Sequence, residues 1–148
     1  MATDWVWHLK VIQLTCKVVL DSNFFLASLN LKLDIFYEIE GLLSRRVRYI
    51  VISPVKDELY RLSIESSERG RRAVNALRLL DRCEIVEFER GPREAVDDLL
   101  VRFAVENRAI VATADTLLRK RLRDINVPVI YVRERSRLEL EGYPPDDC

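Results

Sequence analysis

Short apolar runs without polar alternation recur along the chain, each followed by a stretch whose apolar positions repeat at helical spacing. "CKVVL" (16–20) reads as a first strand that stops at Asp21. Residues 22–31 and 33–44 then carry apolar side chains at helical intervals: Phe24, Phe25 and Leu29, then Leu33, Phe36, Tyr37, Ile39 and Leu43. "RYIVIS" (48–53) is a second strand. Ser53-Pro54 supplies a capping hydroxyl and a Pro at the first helical position, and Val55, Leu59, Leu62 and Ile64 continue that helix. Residues 69–82 predict an amphipathic helix with Val74, Leu77 and Leu80 on its apolar side, and "EIVEF" (84–88) a third strand. Past Gly91-Pro92, residues 93–107 predict a helix that turns Val96, Leu99, Leu100, Phe103 and Ala104 inward. "AIVAT" (109–113), "DTLLRKRLRDI" (115–125) and "VPVIYV" (127–132) complete the pattern as strand, helix and fifth strand.

Strands alternating with helices, the strands rich in Val and Ile, predict one α/β domain over 16–133. Its centre is a mostly parallel five-stranded sheet with helices on both faces. The tail, 134–148, loses regular pattern. The extension 1–15 alternates Trp5, Trp7, Leu9 and Val11, and reads equally as an extra strand, a partner-facing arm or segment without fixed structure.

A length of 148 residues suits one domain with its own core. The 24 basic and 24 acidic side chains cancel, so overall charge does not point to nucleic acid; its distribution matters instead. Cys16, Cys83 and Cys148 are far apart, odd in number and without metal-ligand spacing, which fits a reducing, cytoplasmic setting. No apolar run approaches the roughly 20 residues that span a bilayer, so no membrane is expected, and the first residues lack a signal-peptide pattern.

In an open α/β sheet the working crevice lies outside the carboxyl ends of the strands. Asp21 follows the first strand and Asp115 the fourth; Glu58 and Asp97-Asp98 lie early on helices. Each acid alone has an ordinary explanation, because carboxylates near helix N-termini complement the helix dipole or cap it. Four acids on one sheet edge would repel, and a divalent cation such as Mg²⁺ or Mn²⁺ resolves the repulsion. Other strand-end chemistries fit worse. A haloacid-dehalogenase-type phosphotransferase wants a second Asp where Asn23 stands. A response-regulator receiver wants paired acids after the first strand and a Lys after the fifth, where Ser22 and Arg133 stand. A phosphate-cradling Gly-rich turn is missing, and His8, the one histidine, lies in the N-terminal extension.

At these residues the sequence resembles the PIN-domain family of metal-dependent ribonucleases. "VVLDSNFFL", "ISPVKDELYRL", "AVDDLLVRFAVENRAIVATAD" and "LLRKRLRDINVPVIYVRE" come in the family's order and cover roughly residues 17–133. The last segment looks most like the branch containing the small-subunit rRNA-processing nuclease and its archaeal relatives, with VapC-type toxins second. The resemblance implies an acidic, metal-holding cluster of Asp21, Glu58, Asp97 and Asp115, with Asp98 as rival to Asp97. It makes Asn23 and Thr113 polar companions that orient a ligand water or phosphate. Ala114 and Asn126 depart from the family pattern, standing where relatives often have Asn or Asp and Gly.

RNA needs a positive path to such a site. The basic residues of 69–82 read best as a solvated face, whereas Arg119, Lys120, Arg121 and Arg123, beside Asp115, read as substrate contacts together with Arg133. The expectation is a cytoplasmic endoribonuclease that cleaves single-stranded RNA or structured rRNA by a metal-activated water, leaving a 5′-phosphate and a 3′-hydroxyl, in rRNA processing. The alternatives are a VapC-type toxin partnered by an antitoxin and a PIN-like RNA-binding or assembly module without useful catalysis. A purely structural or protein-interaction domain is a third, with the Trp pair as its one hint. Exposed apolar positions on 22–44 would allow a homodimer.

Overall fold

A computed structural model describes residues 15–146 and 148. The readings placed on Trp5, Trp7 and His8 lie outside the described residues. In chain order come β1 (Thr15–Leu20), α1 (Ser22–Asn30), α2 (Ile35–Leu43), β2 (Arg46–Ile52), α3 (Ser53–Ser63) and α4 (Glu68–Leu79). A 3-10 turn (Leu80–Arg82) leads to β3 (Glu84–Val86), α5 (Val96–Asn107), β4 (Ile110–Ala112), α6 (Thr116–Asp124), β5 (Val129–Arg133) and β6 (Arg137–Glu141).

The strands form one sheet in the order β3-β2-β1-β4-β5-β6, parallel except for β6, which runs antiparallel along β5. The chain first steps outward from β1 to β2 and β3, then returns to place β4 on the other side of β1. This switch of direction opens a crevice at the carboxyl ends of β1 and β4. Val18, Val19 and Leu20 in β1 and Ile110, Val111 and Ala112 in β4 are fully buried, although successive side chains point to opposite faces. The centre of the sheet is therefore covered on both sides, as its unbroken apolar runs require.

Four features, three of them differences from the sequence reading, have physical causes. First, the sheet has six strands, not five. "RLELE" alternates, with Leu138 buried and Leu140 packed on the core, and forms β6 from the expected loose tail. The turn into it uses Glu134 and Arg135 at φ 51° and 54°, a left-handed pair without the usual Gly or Asn signal. Second, Val74, Ile64 and Tyr37 are exposed. α4 instead buries Gly70, Ala73 and Ala76, small residues that let it lie close to α1 and α3. A Cβ on Gly70 would collide with the Glu65 carbonyl. Third, Cys16 and Cys148 are joined as a disulfide that ties the chain end to β1, and Cys83 is the free thiol. Fourth, Asn126 stands at φ 61°, the left-handed conformation that Gly adopts freely and Asn tolerates, so its departure from the family pattern keeps the turn.

Candidate active site

Asp21 sits where β1 ends. Its N–H still donates to the Ala112 carbonyl across the β1–β4 seam at 2.9 Å, while its Oδ1 already accepts the Ser22 N–H at 2.8 Å and caps α1. The residue is only 3% exposed. From the end of β4, the buried Thr113 hydroxyl donates to Asp21 Oδ2 at 2.9 Å and accepts the Asp115 N–H at 3.1 Å. Asn23 Oδ1 lies 3.2 Å from the same hydroxyl, which has one proton to give, and the carboxylate is the stronger acceptor. Asn23 Oδ1 has its own donor in the Ala114 N–H at 3.0 Å, which leaves its Nδ2 without a partner among the described residues. Asp115 Oδ1 caps α6 by accepting the N–H groups of Leu117 and Leu118 at 2.9 and 3.2 Å. Capping and convergence are thus compatible: Asp21 and Asp115 each cap a helix, and the cap turns are what bring them to one crevice.

The electrostatics identify the other members. Burial, above all, pushes the Asp21 carboxyl up from 3.8 to about 6. The Thr113 and Ser22 hydrogen bonds oppose this, and the charges of Asp97 and Glu58 add to it. Burial also raises Asp97, followed by repulsion from Asp115, with Arg121 opposing and Asp98 and Glu58 adding. Asp21, Glu58, Asp97 and Asp115 therefore share one electrostatic field.

Asp98 faces elsewhere. Its Oδ2 accepts the Ala95 N–H at 2.9 Å, and its Oδ1 accepts from Arg121 Nη1 at 2.7 Å. Those bonds, the Ala95 one first, hold its carboxyl below the usual range. Asp97 is the member of the cluster, and Asp98 is spent on the start of α5 and on Arg121.

The four carboxylates form an all-oxygen, negatively charged set, which is the donor chemistry of a hard divalent cation. In this side-chain arrangement no three His, Cys, Asp or Glu groups among the described residues could hold one ion, so closing on a cation requires side-chain rotation. The basic residues expected to face substrate divide sharply. Arg119 stacks over the Tyr131 ring at 3.5 Å and bonds Glu141 at 2.6 Å. Arg123 pairs with Glu141 at 3.6 Å, and Arg133 with Glu139 at 2.8 Å. Lys120 is exposed on the surface of α6, and only Arg121 is brought against the acidic cluster.

Residues 18–135 match the family described as PIN like domain. The chain belongs to that family. Among its PIN relatives, Ribonuclease VapC4 of Methanocaldococcus jannaschii is 33% identical over 130 residues, covering 85% of this chain and 97% of that protein. Ribonuclease VapC9 of Archaeoglobus fulgidus is 33% identical over 97 residues, covering 64% of this chain and 67% of that one. Among solved structures, the PIN domain endonuclease Utp24 superposes with a TM-score of 0.72 at 26% identity, covering 86% of this chain and 92% of that one. The VapBC2 structure from Rickettsia felis, at 21% identity and a TM-score of 0.52 over 71% of this chain and 92% of that one, shares the fold.

Proposed function

We propose that this PIN-like domain is an endoribonuclease that uses Mg²⁺ or Mn²⁺ to cleave single-stranded RNA. The observation that carries the reading is Asp21: a buried carboxylate at the β1–β4 switch point, pushed up to about 6 by burial and further by the charges of Asp97 and Glu58. Asp21, Glu58, Asp97 and Asp115 would hold the metal. When bound, it would activate water and offset charge at phosphorus. Thr113 fixes the Asp21 carboxylate in place and ties it to the Asp115 backbone, while Asn23 Nδ2, without a partner among the described residues, supplies a donor for a phosphate oxygen or water. The ribonuclease names of VapC4 and VapC9 and the endonuclease name of Utp24 support the reaction class.

Two roles fit this chemistry. The resemblance of the last motif to the rRNA-processing branch favours rRNA processing, and the near-full-length match to VapC4 favours a toxin-type ribonuclease held by an antitoxin. Growth arrest on expression of the wild type, relieved by Asp97→Asn, would select the second. The test of the reaction itself is incubation of purified protein with labelled single-stranded RNA in Mn²⁺ and in EDTA. Fragments ending in 5′-phosphate and 3′-hydroxyl in Mn²⁺ alone are expected. Tight RNA binding without cleavage would make the domain a binding module instead.

A further inference from the structure

Arg121 differs from every other arginine of α6. Arg119 is fixed on two sides, by the Tyr131 ring and by Glu141, and Arg123 shares that same glutamate. Arg121 makes a single hydrogen bond among the described residues, from Nη1 to Asp98 Oδ1. Its anchor is itself fixed, because Asp98 Oδ2 is held by the Ala95 N–H. A guanidinium carries five donors in a planar fork, so one edge is positioned while the other stays open. Its bond to Asp98 places the guanidinium beside the neighbouring Asp97, on which its charge acts.

One turn earlier on the same helix face is Leu117, whose N–H donates to Asp115 and whose side chain is 78% exposed. The buried stripe of α6 is Leu118 and Leu122, so Leu117, two residues after Asp115, is off the core-facing phase and exposed. An apolar surface next to a half-committed guanidinium, both at a carboxylate cluster, matches one nucleotide: base on the leucine, phosphate on the arginine.

We propose that Leu117 and Arg121 form a nucleotide subsite at the rim of the acidic cluster, in which Arg121 positions a backbone phosphate next to the one to be cut and Leu117 takes an unstacked base. The subsite rests on the RNA-cleaving reading above and specifies it: an unstacked base requires single-stranded substrate. Asp98, itself held by the Ala95 N–H, keeps Arg121 oriented.

The test is binding of a fluorescent single-stranded oligouridylate to the full chain in Ca²⁺ across a salt series, with cleavage kinetics in Mn²⁺ alongside. Arg121→Gln should weaken binding and flatten the slope of log affinity against log salt by about 0.7, the loss of one phosphate contact on a single strand. Arg121→Lys should keep the wild-type slope. Leu117→Ser should weaken binding several-fold at an unchanged slope, because an apolar contact releases no counterion, and should raise KM more than it lowers kcat. A wild-type slope in Arg121→Gln, or wild-type affinity in Leu117→Ser, overturns the subsite while leaving the nuclease reading standing. Wild-type protein that binds no RNA overturns both.

Discussion

Asp21→Asn should make the metal-free protein more stable while removing the group most needed for activity. The carboxyl titrates at 3.8 in an ordinary exposed setting and at about 6 in the fold, with burial the main cause. Below both values the folded and unfolded states each hold the proton, and the group has no effect. Between them the folded state keeps a proton that the unfolded state has released, so stability falls as pH rises. Above about 6 the full penalty is present. Those two values correspond to about 3 kcal/mol at pH 7.5 and about 0.5 kcal/mol at pH 4. Asn removes the charge and keeps the bonding: its Oδ1 can accept the Ser22 N–H, and its Nδ2 can donate to Thr113 Oγ1, which then gives its proton to Asn23 Oδ1. Urea unfolding of both proteins in EDTA at the two pH values measures the difference directly. A variant that is no more stable at pH 7.5, or whose advantage is the same at pH 4, would refute the burial argument.

Asp97→Asn should lower Mn²⁺-dependent cleavage by on the order of 100-fold or more, since the cation supplies several kcal/mol at the phosphorus. Asp98→Ala should retain cleavage to within several-fold and melt slightly earlier, because it loses the Ala95 and Arg121 bonds and not one of the proposed metal ligands; equal losses in the two variants would contradict the assignment. Cys148→Ser opens a disulfide spanning 132 residues and should lower stability by up to about 5 kcal/mol in denaturant titration. Its cleavage rate well below the melting temperature should match wild type, as Cys16 lies about 16 Å along β1 from Asp21. Gly70→Ala should cost about 1–3 kcal/mol through the clash with the Glu65 carbonyl, read as a lower melting temperature.

The parts of the fold that depend on burial in a two-sided sheet were legible, because such strands need unbroken apolar runs. That placed Asp21 and Asp115 at strand ends, and the carboxyl-edge rule made them a pair. For Asp97 against Asp98, helical spacing to the buried Leu99, Leu100 and Ala104 favoured Asp97 without deciding it. Both stand in the first turn of α5, and it is the Ala95 N–H together with Arg121, 23 residues on, that shows Asp98 to be occupied elsewhere. The same holds for the basic helix: charge along "LLRKRLR" is evident, but Glu141, the glutamate that pairs with both Arg119 and Arg123, comes from β6. β6 itself was hidden because its turn carries Glu and Arg at left-handed positions. α4 misled in a different way, since its tight packing relies on Gly and Ala, which hydrophobicity reads as weak.

The central claim, that Asp21 and three neighbouring carboxylates hold an ion used to cleave RNA, is tested most directly by one comparison. Wild type and Asp21→Asn, both shown to be folded by circular dichroism, are given the same labelled single-stranded RNA in Mn²⁺ at pH 7.5, and initial rates are taken. The account predicts metal-dependent cleavage by wild type and loss of on the order of 100-fold or more in the variant, despite its greater stability. Equal rates for the two proteins would contradict it.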